Sequence, residues 1–350
     1  MNDYKQLCIQ ENTPILEAIE RIGDLSGPLT LLVVNKKNQM VGTLTDGDIR
    51  RGFLNGCILD DDVSHFILKN FQYVVGLPDP SKIREIKNLG IKLLPVLDKN
   101  GCIQDIYNLQ YVKNLLPLEA VIMAGGRGER LRPLTDTIPK SMLKIGEKPI
   151  LERNIDLLKR YGIRKFYISV NYLSEQICEY FGNGDSKNIE IRYIYEEKPL
   201  GTAGALSLIK GQISTEYFIH INSDLFTDAN IENLFIDTIS EAAEMGIFSV
   251  PYNINIPYGI LEGVKNKVHS IKEKPTYTHY ANAGMYIVKS SLINNIPANS
   301  IFNMTHLIEM LTATYQKVIH TPITGFWIDI GNREDYIKAQ DIAKYSFNDK

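Results

Sequence analysis

The sequence predicts an α/β protein with two domains, at residues 1–115 and 118–345. In the second region, apolar strands alternate with amphipathic helices, which is typical of a doubly wound sheet. The first region instead repeats one short order of helix, strand, turn and strand, which indicates an α+β domain built from two similar halves. The 350 residues are enough for both domains.

The composition argues against several classes of protein. Hydrophobic residues make up 44% and charged residues 23% of the chain, and the net charge of −3 gives no basic field that would attract nucleic acid. No stretch approaches the ~20 apolar residues of a membrane span, and no apolar signal segment follows Met1. We therefore expect a cytoplasmic protein without nucleic-acid or membrane partners. The scattered cysteines indicate reduced thiols: Cys8, Cys57, Cys102 and Cys178.

The repeat in the first region can be aligned without gaps from Leu31 to Asn38. Residues 14–23 predict a helix with Pro at its start and Gly at its end, and two strands and the helix opening at Asp46 follow. The same order returns from Pro80. A shift of 62 residues carries Leu31 onto Leu93, so we expect a pseudo-symmetric pair of half-domains.

In the second region, predicted strands and helices alternate along the chain. Helices are predicted at residues 150–162 and 174–182, and strands at 166–170, 189–194 and 217–224. Because ligands collect at the carboxyl ends of strands in such sheets, we expect the functional residues there.

A glycine-rich turn follows the apolar run that ends at Ala124. Gly125, Gly126 and Gly128 leave the loop without side chains, so its backbone N–H groups can approach phosphate oxygens. Five cations surround it: Arg127, Arg130, Arg132, Lys140 and Lys144. A lone glycine-rich turn can also be only a tight connection, and this one matches neither Gly-x-Gly-x-x-Gly nor the Walker loop.

The whole string Gly-Gly-x-Gly-x-Arg-Leu-x-Pro-Leu-Thr, followed by Pro-Lys, resembles the signature of sugar-1-phosphate nucleotidyltransferases. The resemblance implies a Rossmann-like doubly wound mixed sheet and transfer of a nucleotidyl group from a nucleoside triphosphate to a sugar 1-phosphate, with release of pyrophosphate. The implied role of Arg130 is to stabilise the departing pyrophosphate. The implied role of Lys140 is to stabilise the charge on the transferred phosphoryl group. The implied nucleotide-binding residues are Ala124, Gly125, Gly126, Gly128, Gly201 and Thr202.

Two acids complete the implied catalytic set. Asp224 follows an apolar strand, a position that suits either a metal ligand or an ordinary helix cap or turn. Asp329 stands in Trp-x-Asp-x-Gly, which also matches the family. The resemblance implies that both carboxylates bind Mg²⁺.

The residues expected to bind the sugar phosphate are implied by the resemblance alone. The segments Glu-Lys-Pro and Asn-Ala-Gly, together with a Tyr-Gly pair, match elements that hold the sugar phosphate in the family. The implied residues are Tyr258, Gly259, Glu273, Lys274 and Asn282.

The N-terminal repeat resembles a tandem CBS pair, the Bateman module. Thr45 and Asp48 match that family's ribose-contacting motif, which implies an adenine or guanine nucleotide as ligand, but the motif is absent from the second copy. Two alternatives stay open: both residues simply cap the following helix, or the module is a ligand-free scaffold for subunit contacts. CBS pairs commonly associate, so we expect a homo-oligomer.

The overall pattern is most similar to bacterial GTP-dependent glucosamine-, heptose- and mannose-1-phosphate guanylyltransferases, including those of the legionaminic acid type. This favours GTP and glucosamine 1-phosphate or a related hexose or heptose phosphate. Two departures, Glu129 for Thr and Ser223 for Gly, leave open a catalytically weak nucleotide sensor. A uridylyl-, cytidylyl- or thymidylyltransferase of the same fold is a further alternative.

Overall fold

The computed structural model describes residues 4–25, 27–76 and 79–346, so residues 1–3, 26, 77 and 78 of the predicted N-terminal domain lie outside it. The chain divides into two compact units. The first unit comprises Met1–Pro117, Lys159–Arg164 and Asp185–Ile189, and the second comprises Leu118–Leu158, Lys165–Gly184 and Glu190–Lys350. Within the described residues, no helix is both long enough and apolar enough to cross a bilayer.

The first unit contains two copies of one arrangement. Its elements are β1 (Cys8–Gln10), α1 (Ile15–Gly23), β2 (Thr30–Val34), β3 (Met40–Thr45), α2 (Asp46–Leu54), β4 (Val74–Val75), α3 (Pro80–Asn88), β5 (Leu93–Leu97) and β6 (Ile103–Asn108). In each copy a central strand, β2 or β5, pairs in parallel with the preceding strand and antiparallel with the following one. This is the repeat that the 62-residue shift predicts.

Apolar side chains explain why the two copies form one unit. The apolar stripe of α1, which includes Ile15 and Ile22, is buried against its own sheet, and α3 buries Ile83 in the second copy. A further cluster draws on both copies, because Leu32 and Leu93 belong to it together. Neither half could bury this surface alone.

The second unit carries the long sheet and most of the helices. Its strands are β7 (Leu118–Met123), β8 (Lys144–Ile145), β9 (Lys148–Pro149), β10 (Lys165–Val170), β11 (Glu190–Tyr195), β12 (Tyr217–Asn222), β13 (Leu225–Thr227), β14 (Met245–Asn255), β15 (Ile260–Val264), β16 (Lys267–Lys272), β17 (Thr276–Lys289), β18 (Val318–Pro322) and β19 (Trp327–Asp329). Its helices are α4 (Ile150–Lys159, whose last residue belongs to the first unit), α5 (Ser174–Phe181), α6 (Gly201–Gly204), α7 (Ile231–Ser240), α8 (Met304–Ala313) and α9 (Arg333–Ser346).

The central sheet is mixed. Its seven strands run in the order β11-β10-β7-β12-β17-β14-β18, and β17 alone is antiparallel to its neighbours. The other six strands therefore end at one edge, where the glycine-rich turn follows β7. The mixed, doubly wound α/β class that the resemblance implied is confirmed.

Beyond this sheet, β14 and β17 continue as a paired ribbon, and β15 pairs only with β16. We call residues 251–282 the β-arm. Every residue of β16 is exposed. The predicted strand at 217–224 is shorter than expected, because β12 ends at Asn222 and leaves Asp224 in the turn that follows.

Two glycines of α2 give a test of the packing in the first unit. A Cβ at Gly52 would lie 2.2 Å from Cδ1 of Phe66, a core residue, whereas a Cβ at Gly47 would lie 3.5 Å from its nearest neighbour, Nη1 of Arg51. We expect Gly52→Ala to lower the free energy of unfolding by about 1–3 kcal/mol through overpacking. Gly47→Ala should raise it by a few tenths up to about 1 kcal/mol, because alanine favours helix.

Urea unfolding followed by circular dichroism measures both variants. Equal stability of the two would show that Phe66 does not pack over Gly52.

Candidate active site

Two neighbouring strands bring the main candidate residues together. Met123 at the end of β7 is the register partner of Asn222 at the end of β12, and the amide of Ser223 donates to the Met123 carbonyl at 3.1 Å. The glycine-rich turn and Asp224 therefore leave the sheet side by side at its carboxyl edge.

Gly128 determines the shape of the glycine-rich turn. Its φ of +65° lies in the left-handed region, and a Cβ there would lie 2.9 Å from Cβ of Lys140 and 3.0 Å from Cγ2 of Thr135. The hydroxyl of Thr135 donates to the Gly128 carbonyl at 2.8 Å. Only glycine fits this conformation and this contact, so the residue lets Lys140 approach the turn. Gly126, by contrast, has open space where a Cβ would stand.

Lys140 and Arg130 bring positive charge to the same place. Lys140 begins a short 3₁₀ turn, and its Nζ donates to Oδ2 of Asp224 in an ion pair that is mostly shielded from solvent. The guanidinium of Arg130 lies beside Gly331, where a Cβ would stand 3.1 Å from its Nη2.

Backbone pairing holds the two predicted metal ligands next to each other. In the two-stranded sheet of β13 and β19, Asp329 is the register partner of Leu225, and the Ile330 amide donates to the Asp224 carbonyl at 3.0 Å. Burial, and secondarily the charge of Asp224, raises the pKa of the Asp329 carboxyl above its ordinary value. Lys140 and Arg130 act in the opposite direction.

Each of these carboxyl groups has an unsatisfied oxygen. Oδ1 of Asp224 and Oδ1 of Asp329 are buried without a hydrogen-bond partner among the described residues. An unpaired buried carboxylate oxygen is costly, and two of them beside each other suit a divalent cation with oxygen ligands. Within residues 4–25, 27–76 and 79–346, no cluster of three or more His, Cys, Asp or Glu side chains could hold a metal ion. Among the described residues, these two carboxylates therefore form a pair without a third candidate ligand side chain grouped with them.

Eight of the candidate residues line one cavity of about 540 Å³, the size of an ordinary ligand pocket, whereas Asp329 is not part of its wall. The predicted residues on its wall are Gly125, Gly126, Gly128, Arg130, Lys140, Gly201, Thr202 and Asp224. Ala124 is buried behind the wall and donates its N–H to the Ser169 carbonyl. The Thr202 hydroxyl accepts a hydrogen bond from the Met304 amide at the start of α8, so this residue also satisfies a helix end.

The predicted sugar-phosphate residues lie apart from that cavity. Tyr258, Gly259, Glu273 and Lys274 belong to the β-arm, and Tyr258 is 74% exposed. Gly259 and Glu273 are close neighbours, since a Cβ at Gly259 would lie 2.9 Å from Oε2 of Glu273. Asn282, at the inner end of the β-arm, accepts a hydrogen bond from the Gly284 amide. The structure brings two of the five together and places none of them on the cavity wall.

In the first unit, Thr45 and Asp48 form a complete capping box at the start of α2. The Asp48 amide donates to the Thr45 hydroxyl, the Thr45 amide donates to Asp48 Oδ2 at 2.9 Å, and Arg51 pairs with Oδ1. The capping role that was one alternative is therefore present. Both residues also line a second cavity, of about 790 Å³, whose wall belongs entirely to the first unit.

The sequence analysis assigned no site role to several residues that line the cavity. Glu196 and Asn222 each lie at or just after the end of a strand on the carboxyl edge, which is the signal that could have found them. Gly331 lies two residues after Asp329. The two departures from the family pattern, Glu129 and Ser223, also line the cavity.

Comparisons with known proteins assign families to two parts of the chain. A family model described as nucleotidyl transferase matches residues 119–345, and one described as CBS domain matches residues 3–55. The chain is 30% identical over 227 residues to a mannose-1-phosphate guanylyltransferase catalytic subunit beta from Danio rerio, with 63% of each chain covered. It is 31% identical over 233 residues to the bifunctional protein GlmU of Methanococcus maripaludis (strain C5), covering 63% of this chain and 53% of that protein.

The crystal structure of HddC from Yersinia pseudotuberculosis complexed with GMP-PN has a similar fold. It is 27% identical with a TM-score of 0.51, and the match covers 65% of this chain and all of HddC. The chain matches less than two thirds of the length of the two curated relatives. Because the nucleotidyl transferase model spans well over half of the sequence, the chain belongs to the nucleotidyl transferase family.

Proposed function

We propose that this protein transfers a nucleotidyl group from a nucleoside triphosphate, with GTP favoured, to a sugar 1-phosphate, giving a nucleotide sugar and pyrophosphate. One observation carries the proposal: a single cavity joins the glycine-rich turn, Arg130, Lys140 and Asp224, with Asp329 beside Asp224. A guanylyltransferase among the relatives and the GMP-PN complex support a guanine nucleotide. Glucosamine 1-phosphate, or a related hexose or heptose phosphate, is the proposed acceptor.

Asp224 and Asp329 would hold Mg²⁺, because each offers a buried oxygen that no residue in the described part of the chain contacts by a hydrogen bond. A bound Mg²⁺ supplies charge neutralisation and orientation for the phosphate groups. Two protein ligands leave positions for water and phosphate oxygens, which suits an ion that dehydrates reluctantly.

The protein's own groups supply alignment and positive charge. The attacking oxygen of a sugar 1-phosphate is already anionic, so no protein nucleophile is required. The glycine-rich turn offers backbone N–H groups to the triphosphate, and Arg130 steadies the departing pyrophosphate. Lys140 exchanges its contact with Asp224 for the transferred phosphoryl group, whose charge it stabilises.

The β-arm supplies the sugar side of this proposal. Glu273 would accept hydrogen bonds from sugar hydroxyls, Lys274 would meet the phosphate and Asn282 would contact a hydroxyl. The proximity of Glu273 to Gly259 supports a shared contact surface that also includes Tyr258.

The first unit supplies a second candidate site. Its cavity of about 790 Å³ is large enough for an adenine or guanine nucleotide next to Thr45 and Asp48. A ligand-free scaffold remains the alternative, and the homo-oligomer stays a prediction.

A nucleotide sensor with weak activity is the second candidate function. Glu129 lines the cavity and brings negative charge beside the proposed triphosphate site, which favours this alternative. The uridylyl-, cytidylyl- and thymidylyltransferase alternatives differ from the main proposal only in the base.

Pyrophosphate release across four nucleoside triphosphates and a panel of sugar 1-phosphates decides between these functions. We expect release with GTP and one hexose or heptose phosphate. Nucleotide binding without release in any combination would favour the sensor.

The two acids should be essential for turnover. We expect Asp224→Asn and Asp329→Asn each to lower kcat by at least about 100-fold, because each substitution removes a carboxylate that would hold the Mg²⁺ that neutralises the phosphates. Asp341→Asn, a change at an exposed carboxylate in α9, is the matched control for a folded protein with full activity. Rates near wild type in both variants would remove the metal assignment.

Lys140 should act on turnover more than on binding. We expect Lys140→Ala to lower kcat by roughly 100-fold with a much smaller rise in KM, because its charge is needed most where charge builds on the phosphoryl group. Steady-state kinetics for both substrates measures the split. A rise in KM with unchanged kcat would reassign Lys140 to substrate docking.

Asp329 should reduce stability when no metal is bound. Its pKa is raised, so the folded state binds this proton more tightly than the unfolded state, and stability falls as pH rises through the folded-state pKa. At pH 7 with EDTA, we expect Asp329→Asn to have a higher Tm than wild type.

Magnesium should then raise the Tm of wild type and have little effect on the variant, because only the wild-type site gains a ligand. Thermal shift with and without Mg²⁺ measures both effects. A lower Tm for Asp329→Asn in EDTA would contradict the proposed cost of the acid pair.

A further inference from the structure

No residue of the β-arm, residues 251–282, is buried. Beyond the central sheet, β14 pairs only with β17 and β15 only with β16, among the described residues. A two-stranded β structure in water is marginally stable at best unless one of its faces packs against another surface. A single chain therefore leaves the β-arm without the packing that would stabilise it.

The hairpin of β15 and β16 has one apolar and one charged face. Residues directly opposite each other on paired strands point to the same side, and successive residues alternate between sides. Leu261 is the register partner of Ile271, and Gly263 that of Val268, so these four share one face. Leu261 is 63%, Ile271 62% and Val268 59% exposed. We call this surface, which contains no charged residue within the two strands, the hairpin apolar face.

The opposite face of the hairpin carries its charges. Glu262 accepts a hydrogen bond from the Ser270 hydroxyl at 2.7 Å and forms an ion pair with Lys272 at 2.6 Å. Val264 and Lys267 are register partners on the same side. An anionic membrane or a nucleic acid would bind to the lysines, so it would approach this face and leave the apolar one uncovered.

The ribbon of β14 and β17 is divided in the same way. One of its faces holds the register pairs Tyr252–His279 and Ile254–Tyr277. On the other face each threonine hydroxyl donates at 2.8 Å to the asparagine opposite it, Thr276 to Asn255 and Thr278 to Asn253. The polar face thus satisfies its own side chains, whereas the apolar face has nothing packed against it.

A second copy of the chain is the partner that fits an apolar face without charge. In a two-fold dimer one surface packs against itself, so the charged face would bring lysines together, whereas the hairpin apolar face would not. The apolar side chains of the two faces expose on the order of 600 Å², close to the ~800 Å² that each partner buries in a standard interface. The unpaired edges of the hairpin strands add backbone hydrogen-bonding groups.

We infer that two copies of this chain associate through the β-arm, with their hairpin apolar faces packed against each other. The interface ends beside the proposed sugar-phosphate residues. A Cβ at Gly259 would lie 3.2 Å from Cδ1 of Ile271 and 2.9 Å from Oε2 of Glu273. Association therefore stabilises the segment that carries these residues, but the inference does not depend on the proposed function.

Hydrogen–deuterium exchange of the full chain over a series of protein concentrations is the first test, with sedimentation velocity giving the mass at each concentration. We expect the amides of residues 260–272 to exchange at least roughly tenfold more slowly in the associated protein than in the monomer, because packing stabilises the hairpin. Association through the first unit alone would leave their exchange unchanged. A protein that stays monomeric, or that associates without this protection, would overturn the inference.

Val268→Glu and Val264→Glu make the same change on opposite faces of the hairpin. Both valines are more than half exposed, so we expect both variants to fold. Val268→Glu places a carboxylate on the face that packs against its own copy, so association through the β-arm should weaken at least roughly tenfold and the protection should be lost. Val264→Glu, the matched control, lies opposite Lys267 and should behave as wild type.

Unchanged association and protection in Val268→Glu would contradict the inference. Protection that is equal at every concentration, in wild type and in Val268→Glu, would show that the β-arm packs against its own chain and would also overturn it. If Val268→Glu does not fold, the concentration series of wild type still decides. Concentration-dependent protection without pyrophosphate release from any substrate pair would support the interface and remove only the proposed transferase activity.

Discussion

The enforced proximity of Asp224 and Asp329 is the constraint on which the rest of the site depends. The pairing of β13 with β19 and the bond from the Ile330 amide to the Asp224 carbonyl fix their backbones together. Burial, and secondarily the charge of Asp224, raises the pKa of Asp329, and each acid keeps a buried oxygen without a partner among the described residues. The fold tolerates this arrangement because Lys140 and Arg130 stand close enough to offset part of the charge. A site that is incomplete without a ligand is typical of function rather than of stability.

The glycines of the turn follow from the same constraint. Lys140 reaches Asp224 only because the turn at Gly128 takes a left-handed conformation and leaves no Cβ in the way. Gly331 likewise gives the guanidinium of Arg130 room beside the second acid. Gly126 has no such neighbour, so its exposed backbone remains available to a phosphate. One glycine therefore positions protein groups, and another leaves room for the ligand.

Sequence patterns predicted the helices and strands better than they predicted strand directions and contacts between distant residues. The helix that opens at Asp46 and the strands around the glycine-rich turn could be read from periodicity and from glycine positions. The antiparallel direction of β17 could not, because period-two patterning is the same in both directions. Asp224 and Asp329 could be paired only through the family resemblance, since neither spacing nor charge links them. Glu196 could not be singled out from the sequence, because a single Glu after a strand has no distinctive pattern. Its carboxylate accepts hydrogen bonds from Ser169 and Leu200, which are brought next to it only by the fold.

The buried carboxylates of the two units differ in how many of their oxygens have a hydrogen-bond partner. This difference distinguishes a helix cap from a candidate ligand site. Asp48 receives hydrogen bonds from Thr45 and an ion pair from Arg51, so the capping box accounts for both of its oxygens. A ligand in that cavity must share these acceptors or displace Arg51. Asp224 and Asp329 each retain an oxygen that no described residue satisfies. An unsatisfied buried acceptor costs free energy that a bound cation recovers, which is why we propose the cation site in the second unit and not at Asp48.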